Sequence, residues 1–101
     1  DRALMILEKI KDLHADDAEM WSAYGSALSS AGRLDEADTA FMRALEITPD
    51  VAEIWNSVGT NSSRNRKSQQ AIEQYKKAIE LAPGYPDPYI NLCLALMFLP
   101  T

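Results

Sequence analysis

The chain has little of what most side-chain chemistry needs. Its 101 residues include one cysteine, Cys93, and one histidine, His14. A single thiol excludes an intrachain disulfide. A single imidazole leaves no material for a Ser-His-Asp or Cys-His set beyond His14 itself. His14 stands near the end of the first helical stretch, where it reads as a solvated helix-end cation. No spacing of His, Cys, Asp or Glu matches a metal site, and no cofactor is expected. The longest apolar run, Leu92 to Leu99, has eight residues, whereas a membrane span needs ~18. Basic residues are scarce too: 10 against 15 acidic ones leave a net charge of −5. That balance argues against a nucleic-acid binder, which would carry a basic face. The chain opens at Asp1 with neither an initiator methionine nor a signal peptide, so it is expected to be a piece of a longer protein. A reducing cytoplasm suits its lone thiol.

What the chain does have is a period. Trp21, Trp55 and Tyr89 stand 34 residues apart. The same step carries Gly25 onto Gly59 and then Cys93. It also carries Ala37 onto Ala71, Phe41 onto Tyr75, Ala44 onto Ala78 and Pro49 onto Pro83. A fixed period of this length marks a solenoid, in which each unit hides its apolar face on its neighbours.

Apolar spacing and punctuation predict the elements. Met20, Trp21, Tyr24 and Leu28 recur at helical intervals from Ala18 to Ser30. Asp16 or Asp17 can cap that helix, and Gly32 can end it in the left-handed conformation. A second helix is predicted from Asp35 to Ile47, with Ala37, Phe41, Ala44 and Leu45 inward and Pro49 as its stop. The pair then repeats. Glu53 to Arg64 turns Ile54, Trp55 and Val58 inward, and Ser68 to Leu81 turns Ala71, Ile72, Tyr75, Ala78 and Ile79 inward. A last helix starts at Asp87 with Tyr89, Leu92, Leu96 and Leu99. A first one covers Asp1 to Leu13 with Ala3, Leu7 and Ile10. The fold class is all-α, a right-handed superhelical solenoid of antiparallel helix pairs with six helices. Residues 1–17 read as the second helix of a preceding repeat, 18–51 and 52–85 as whole repeats, and 86–101 as the first helix of a following one. Gly25, Gly59 and the small alanines let paired helices approach, while Trp21, Phe41, Trp55 and Tyr75 fill the space.

With Trp21, Tyr24-Gly25, Leu28, Ala37, Phe41, Ala44 and Pro49 in one repeat, and Trp55, Val58-Gly59, Ala71, Tyr75, Ala78 and Pro83 in the next, the chain resembles the tetratricopeptide repeat family. It departs from that pattern at three places. Ser62 stands where a large apolar residue is usual. Arg66 replaces the turn glycine, with Asn65 expected to take the left-handed position. Cys93 stands at a glycine position. The polar corner from Asn61 to Ser68 is therefore expected to be the most mobile or distorted part. Trp55-Asn56, Asn91-Leu92 and Pro83-Gly84-Tyr85 are similar to repeats of the peroxisomal import receptor. Tyr89 to Leu92 is similar to repeats of O-linked N-acetylglucosamine transferase. No lysine stands at the groove positions, unlike the co-chaperones that hold acidic chaperone tails.

The family resemblance implies a protein-interaction module that holds a peptide or a partner segment along its first helices. The positions facing that groove include Glu19, Ser22, Ser26, Ser29 and Ser30, then Glu53, Asn56, Thr60, Ser63 and Arg64, then Asp87 and Ile90. Ser22, Ser26, Asn56, Thr60, Ser63, Arg64 and Asn91 are the candidate ligand contacts, because short hydroxyl and amide groups hydrogen-bond a peptide backbone at little entropic cost. No catalytic residue is expected. Asp35, Glu36 and Asp38 read as a solvated helix start, and Cys93 as a small core thiol. The alternatives are a recruiting arm of a larger enzyme, such as a glycosyltransferase, and a scaffold that self-assembles. Leu92, Leu96 and Phe98 of the last helix lack a covering partner, which favours a homo-oligomer or coverage by further chain.

Overall fold

Punctuation and periodicity cut the chain into helices as the spacing predicts. The computed structural model describes residues 2–97, which form six helices and, among those residues, no strand. They are α1 (Arg2–Ile10), α2 (Ala18–Ser30), α3 (Leu34–Ile47), α4 (Ala52–Arg64), α5 (Ser68–Leu81) and α6 (Asp87–Met97). Phe98 and Leu99, assigned to the last helix by spacing, lie outside the described residues. The chain divides after Pro49 into two compact units.

The first unit holds α1 to α3. Helix α1 ends at Ile10, before the Leu13 expected from apolar spacing, and residues 11–16 form successive turns. Asp17 rather than Asp16 caps α2: its carboxylate accepts from the backbone N–H groups of Glu19 and Met20, two of the donors a helix start leaves open. Met20, Tyr24 and Leu28 of α2 are buried together with Ala37, Ala40, Phe41, Ala44 and Leu45 of α3. In α1 the buried side chain is Leu4, while Ala3 is exposed.

The second unit holds α4 to α6. Its core repeats the first with a step of 34 residues: Ile54 follows Met20, Val58 follows Tyr24, Ala71 follows Ala37, Tyr75 follows Phe41 and Ala78 follows Ala44, all buried. Helix α6 packs against α5, where Ala95 and the partly buried Leu92 join Ala71, Ile72 and Tyr75. Its inner face therefore runs Pro88, Leu92, Ala95, one position off the expected Tyr89 and Leu96, both of which are exposed. Cys93 is exposed as well, not a core thiol.

The first-helix rings also play a different part from the one expected. Trp21 and Trp55 are only half-buried and Tyr89 is exposed. Trp21 Nε1 donates to the carbonyl of Ala15 at 2.8 Å, and Tyr89 Oη donates to that of Pro83 at 2.9 Å. Each ring thus reaches back six residues to clip the preceding turn onto its helix.

Two glycines set how closely the paired helices approach. A Cβ built on Gly25 would stand 2.9 Å from the Phe41 ring, and one on Gly59 would stand 2.6 Å from the Tyr75 ring. Both distances are below van der Waals contact, so the rings occupy space that any side chain would need.

The polar corner after α4 is closed like its apolar counterpart. Arg33 N–H reaches Leu28 O at 2.9 Å and Lys67 N–H reaches Ser62 O at 2.8 Å, one period apart. Gly32 has φ +82° and Arg66 has φ +59°. Arg66 itself, not Asn65, takes the left-handed position: the turn's hydrogen bonds dictate φ there whatever residue is present. Ser62 is buried and donates to Gln74 Oε1 at 2.6 Å. Leu28 and Ala40 stand at these positions one period earlier, so the two sites have exchanged large and small residues.

Candidate functional site

The candidate contact residues fall in both units, and three of them meet in the second. Ser22 is half-buried on α2 and Ser26 is exposed one turn further on. Ser29, placed beside them by spacing, is buried and faces away from solvent. On α4, Asn56 and Thr60 are half-buried while Ser63 and Arg64 are exposed. Asn91 is half-buried on α6.

Asn91 Nδ2 donates to Asn56 Oδ1 at 3.0 Å, which joins α6 to α4. Asn56 Nδ2 in turn donates to Tyr85 Oη at 3.5 Å. Thr60 Oγ1 donates to the backbone carbonyl of Asn56 at 3.1 Å, and Tyr75 Oη donates to Thr60 Oγ1 at 3.2 Å. The bonds to Asn91 and Tyr85 hold the Asn56 amide in place without exhausting the pair. An asparagine offers two donors and two acceptor lone pairs, and the Asn91 carbonyl oxygen and its second N–H remain available. Peptide backbone presents the same groups in reverse.

Charge changes sign along this stripe. Glu53 lies in the first turn of α4 and Arg64 in its last. Burial pushes the Tyr85 phenol above its ordinary value, and the neighbouring charges of Asp87 and Glu53 push the same way against the Asn56 hydrogen bond. Burial also raises Tyr75, while its hydrogen bond with Thr60 and the positive charge of Arg64 pull it back. Both phenols therefore stay protonated at neutral pH, as donors. Residues 53 to 64 cover about 16 Å of helix at ~1.5 Å per residue, the length of roughly five residues of extended peptide.

Spacing did not single out Tyr85 or Tyr75 as parts of this cluster. Tyr85 follows Val51 and Asp17 by the period, so no repeat marks it. Tyr75 shows its ring in the repeat pattern, but its hydroxyl has no counterpart on Phe41. Among the described residues, no group of three or more His, Cys, Asp or Glu is placed to hold a metal ion. No helix among them is long and apolar enough to cross a membrane.

The tetratricopeptide repeat model matches residues 18–51 and 52–85. No curated protein matches the chain. Among solved structures, the chain is similar to MamA, with 26% identity over 93% of this chain and 55% of that one and a TM-score of 0.87. It is similar to YrrB, described as a TPR protein with an unusual peptide-binding site, with 27% identity over 87% of this chain and 45% of that one and a TM-score of 0.84. It is also similar to a thermophilic TPR protein of Thermus thermophilus, with 25% identity over 96% of this chain and 50% of that one and a TM-score of 0.86. The chain thus spans about half the length of the structures it matches.

Proposed function

The chain belongs to the tetratricopeptide repeat family, and from that premise we propose that it holds an extended peptide or partner-protein segment along the polar face of its first helices. Its repeat fold supports a protein–protein interaction module. The observation that carries the finer reading is the Asn56–Asn91 amide pair, held in place by Tyr85 and left with unspent hydrogen-bonding groups. Pre-ordered amides cost less entropy on binding than free ones. Thr60 and Arg64 continue the stripe on α4, and Ser63 borders it. Ser22 and Ser26 offer the corresponding small hydroxyls on α2. Acidic Glu53 and Asp87 at one end and basic Arg64 at the other favour a ligand with the opposite order of charge. The YrrB likeness adds a peptide-binding relative of the same fold. We place the protein in the cytoplasm, as a non-enzymatic adaptor.

The test is affinity capture with the chain and its Asn56→Ala, Arg64→Ala double variant, followed by titration of the captured partner. The double variant should bind at least ~10-fold more weakly, since hydrogen bonds to amide and charged groups contribute about 1–3 kcal/mol. Its helical circular dichroism should be unchanged. Equal capture by both forms would remove these residues from the site.

A further inference from the structure

In the unit of residues 1–49, α1, α2 and α3 wall an open cleft of about 410 Å³. Its floor is aromatic. The rings of Trp21 and Tyr24 lie 6.1 Å apart at 57°, and their polar atoms are already engaged. Trp21 Nε1 bonds the Ala15 carbonyl, and Tyr24 Oη donates to Glu8 Oε1 at 3.4 Å. The Tyr24 ring is buried, so the half-buried Trp21 ring is the aromatic surface this floor presents.

The rim carries three cations in two different states. Arg33 pairs with Glu36 and Glu8, so both acids of the cleft are engaged with the same guanidinium. Lys11 Nζ lies 5.5 Å from the centre of the Tyr24 ring, and Arg43 Cζ lies 5.6 Å from that of Trp21. Neither Lys11 nor Arg43 has a carboxylate within ion-pair distance among the described residues. The cleft is lined by three cations and two carboxylates, so it carries a local positive charge on a chain whose net charge is −5.

This arrangement is not a product of the repeat. One period later, Met42 and Leu45 stand in place of Glu8 and Lys11, and Val58 in place of Tyr24. Lys77, the counterpart of Arg43, pairs with Glu80. Lys11 and Arg43 instead stand over rings, with no ion pair among the described residues.

We propose that this cleft binds an acidic peptide segment, with one aromatic or branched apolar side chain against the half-buried Trp21 ring and flanking carboxylates on Lys11 and Arg43. A volume of 410 Å³ lies within the range of roughly 300–1,000 Å³ typical of ligand clefts. Charge-assisted hydrogen bonds to Lys and Arg supply the selectivity. The repulsion from the chain's overall negative charge is screened beyond about 8 Å at physiological salt, so the local cations dominate at contact. The cleft shares no residue with the Asn56–Asn91 cluster and constitutes a second site.

The probe is the blocked peptide Glu-Glu-Phe-Glu-Glu, with Gln-Gln-Phe-Gln-Gln as its uncharged match. The indole N–H signals of Trp21 and Trp55, resolved by nuclear magnetic resonance, report the site. The acidic peptide should shift the Trp21 signal saturably and leave that of Trp55 in place. Its affinity should exceed that of the uncharged peptide by about tenfold or more and fall as ionic strength rises. The Lys11→Gln, Arg43→Gln double variant should lose that advantage with its melting curve unchanged. The salt series on the unaltered chain needs no variant, so a variant that misfolds leaves the proposal testable. Equal affinity for both peptides, no response at Trp21, or a response at Trp55 alone would overturn it.

Discussion

At Gly59 one carbon atom decides whether two helices can meet. A Cβ there would lie 2.6 Å from the Tyr75 ring, and that ring is 3% exposed with its hydroxyl engaged by Thr60. It cannot swing aside without breaking a hydrogen bond and opening a void. Gly59→Ala should gain up to ~1 kcal/mol of helix propensity and lose about 1–3 kcal/mol to overpacking. The expected outcome is a net loss of stability, read as a lower midpoint in urea with an unchanged slope; a raised midpoint would show that the ring can move. Gly25, facing Phe41 at 2.9 Å, should respond in the same direction. This close approach was legible in the sequence, because a glycine and a ring recur together in both whole repeats. The turn after α4 was not. Arg66, an unfavoured residue for positive φ, sits at +59° because the hydrogen bonds of the turn require it, and the cost of roughly 1–2 kcal/mol is borne by the surrounding structure.

At the scale of the element, α4 and α5 compensate for what looked like a defect. Ser62 stands where Leu28 stood, and Gln74 where Ala40 stood. The helix pair keeps its fit because one side lost volume and the other gained it, and a hydrogen bond of 2.6 Å satisfies the buried hydroxyl. Ser62→Leu alone should destabilise the chain by about 1–3 kcal/mol, since it crowds Gln74 and strips its partner. Adding Gln74→Ala should restore most of that loss. A double-mutant cycle measures the coupling, expected at roughly 0.5–3 kcal/mol for residues in contact. Strict additivity would mean that the exchange is incidental. Reading along one helix shows only that Ser62 is small and polar; its partner lies 12 residues away on another element. The same limit explains α6, where apolar residues crowd the helix all round and spacing alone placed the inner face one residue off. Contact with α5 buries Ala95 beside the expected Leu92, and Pro88 is buried in place of Tyr89.

At the scale of the whole molecule, charge and exposed apolar surface oppose each other. The described end helices expose large side chains: Met5 and Ile6 on α1, and Tyr89, Ile90, Leu94, Leu96 and Met97 on α6. A net charge of −5 opposes the approach of copies at neutral pH. That repulsion vanishes near the isoelectric point of about 4.7. Light scattering should therefore show association growing as pH falls toward that value, by pairing of α6 faces between copies. Leu94→Lys should suppress it. Scattering unchanged by that substitution would assign the contact to another surface, such as that of α1.

The sequence by itself determined the helices, their order, the repeat and the glycine–ring contacts, because each rests on short-range rules: a helical period, a cap, a stop, a step of 34 residues. It also marked which polar side chains stand on the first helices. Only the tertiary structure decided what those side chains do. It joined Asn91 to Asn56 across 35 residues and brought Tyr85 to the same amide. It turned Trp21 and Tyr89 from expected core rings into clips on the preceding turns. It set Lys11 and Arg43 over two rings that no spacing connects to them. Hydrogen bonds and ring contacts between elements depend on where helices lie in space, and the repeat prescribes that for its apolar positions alone. At the other positions the sequence is free to vary, and there the structure has the deciding word.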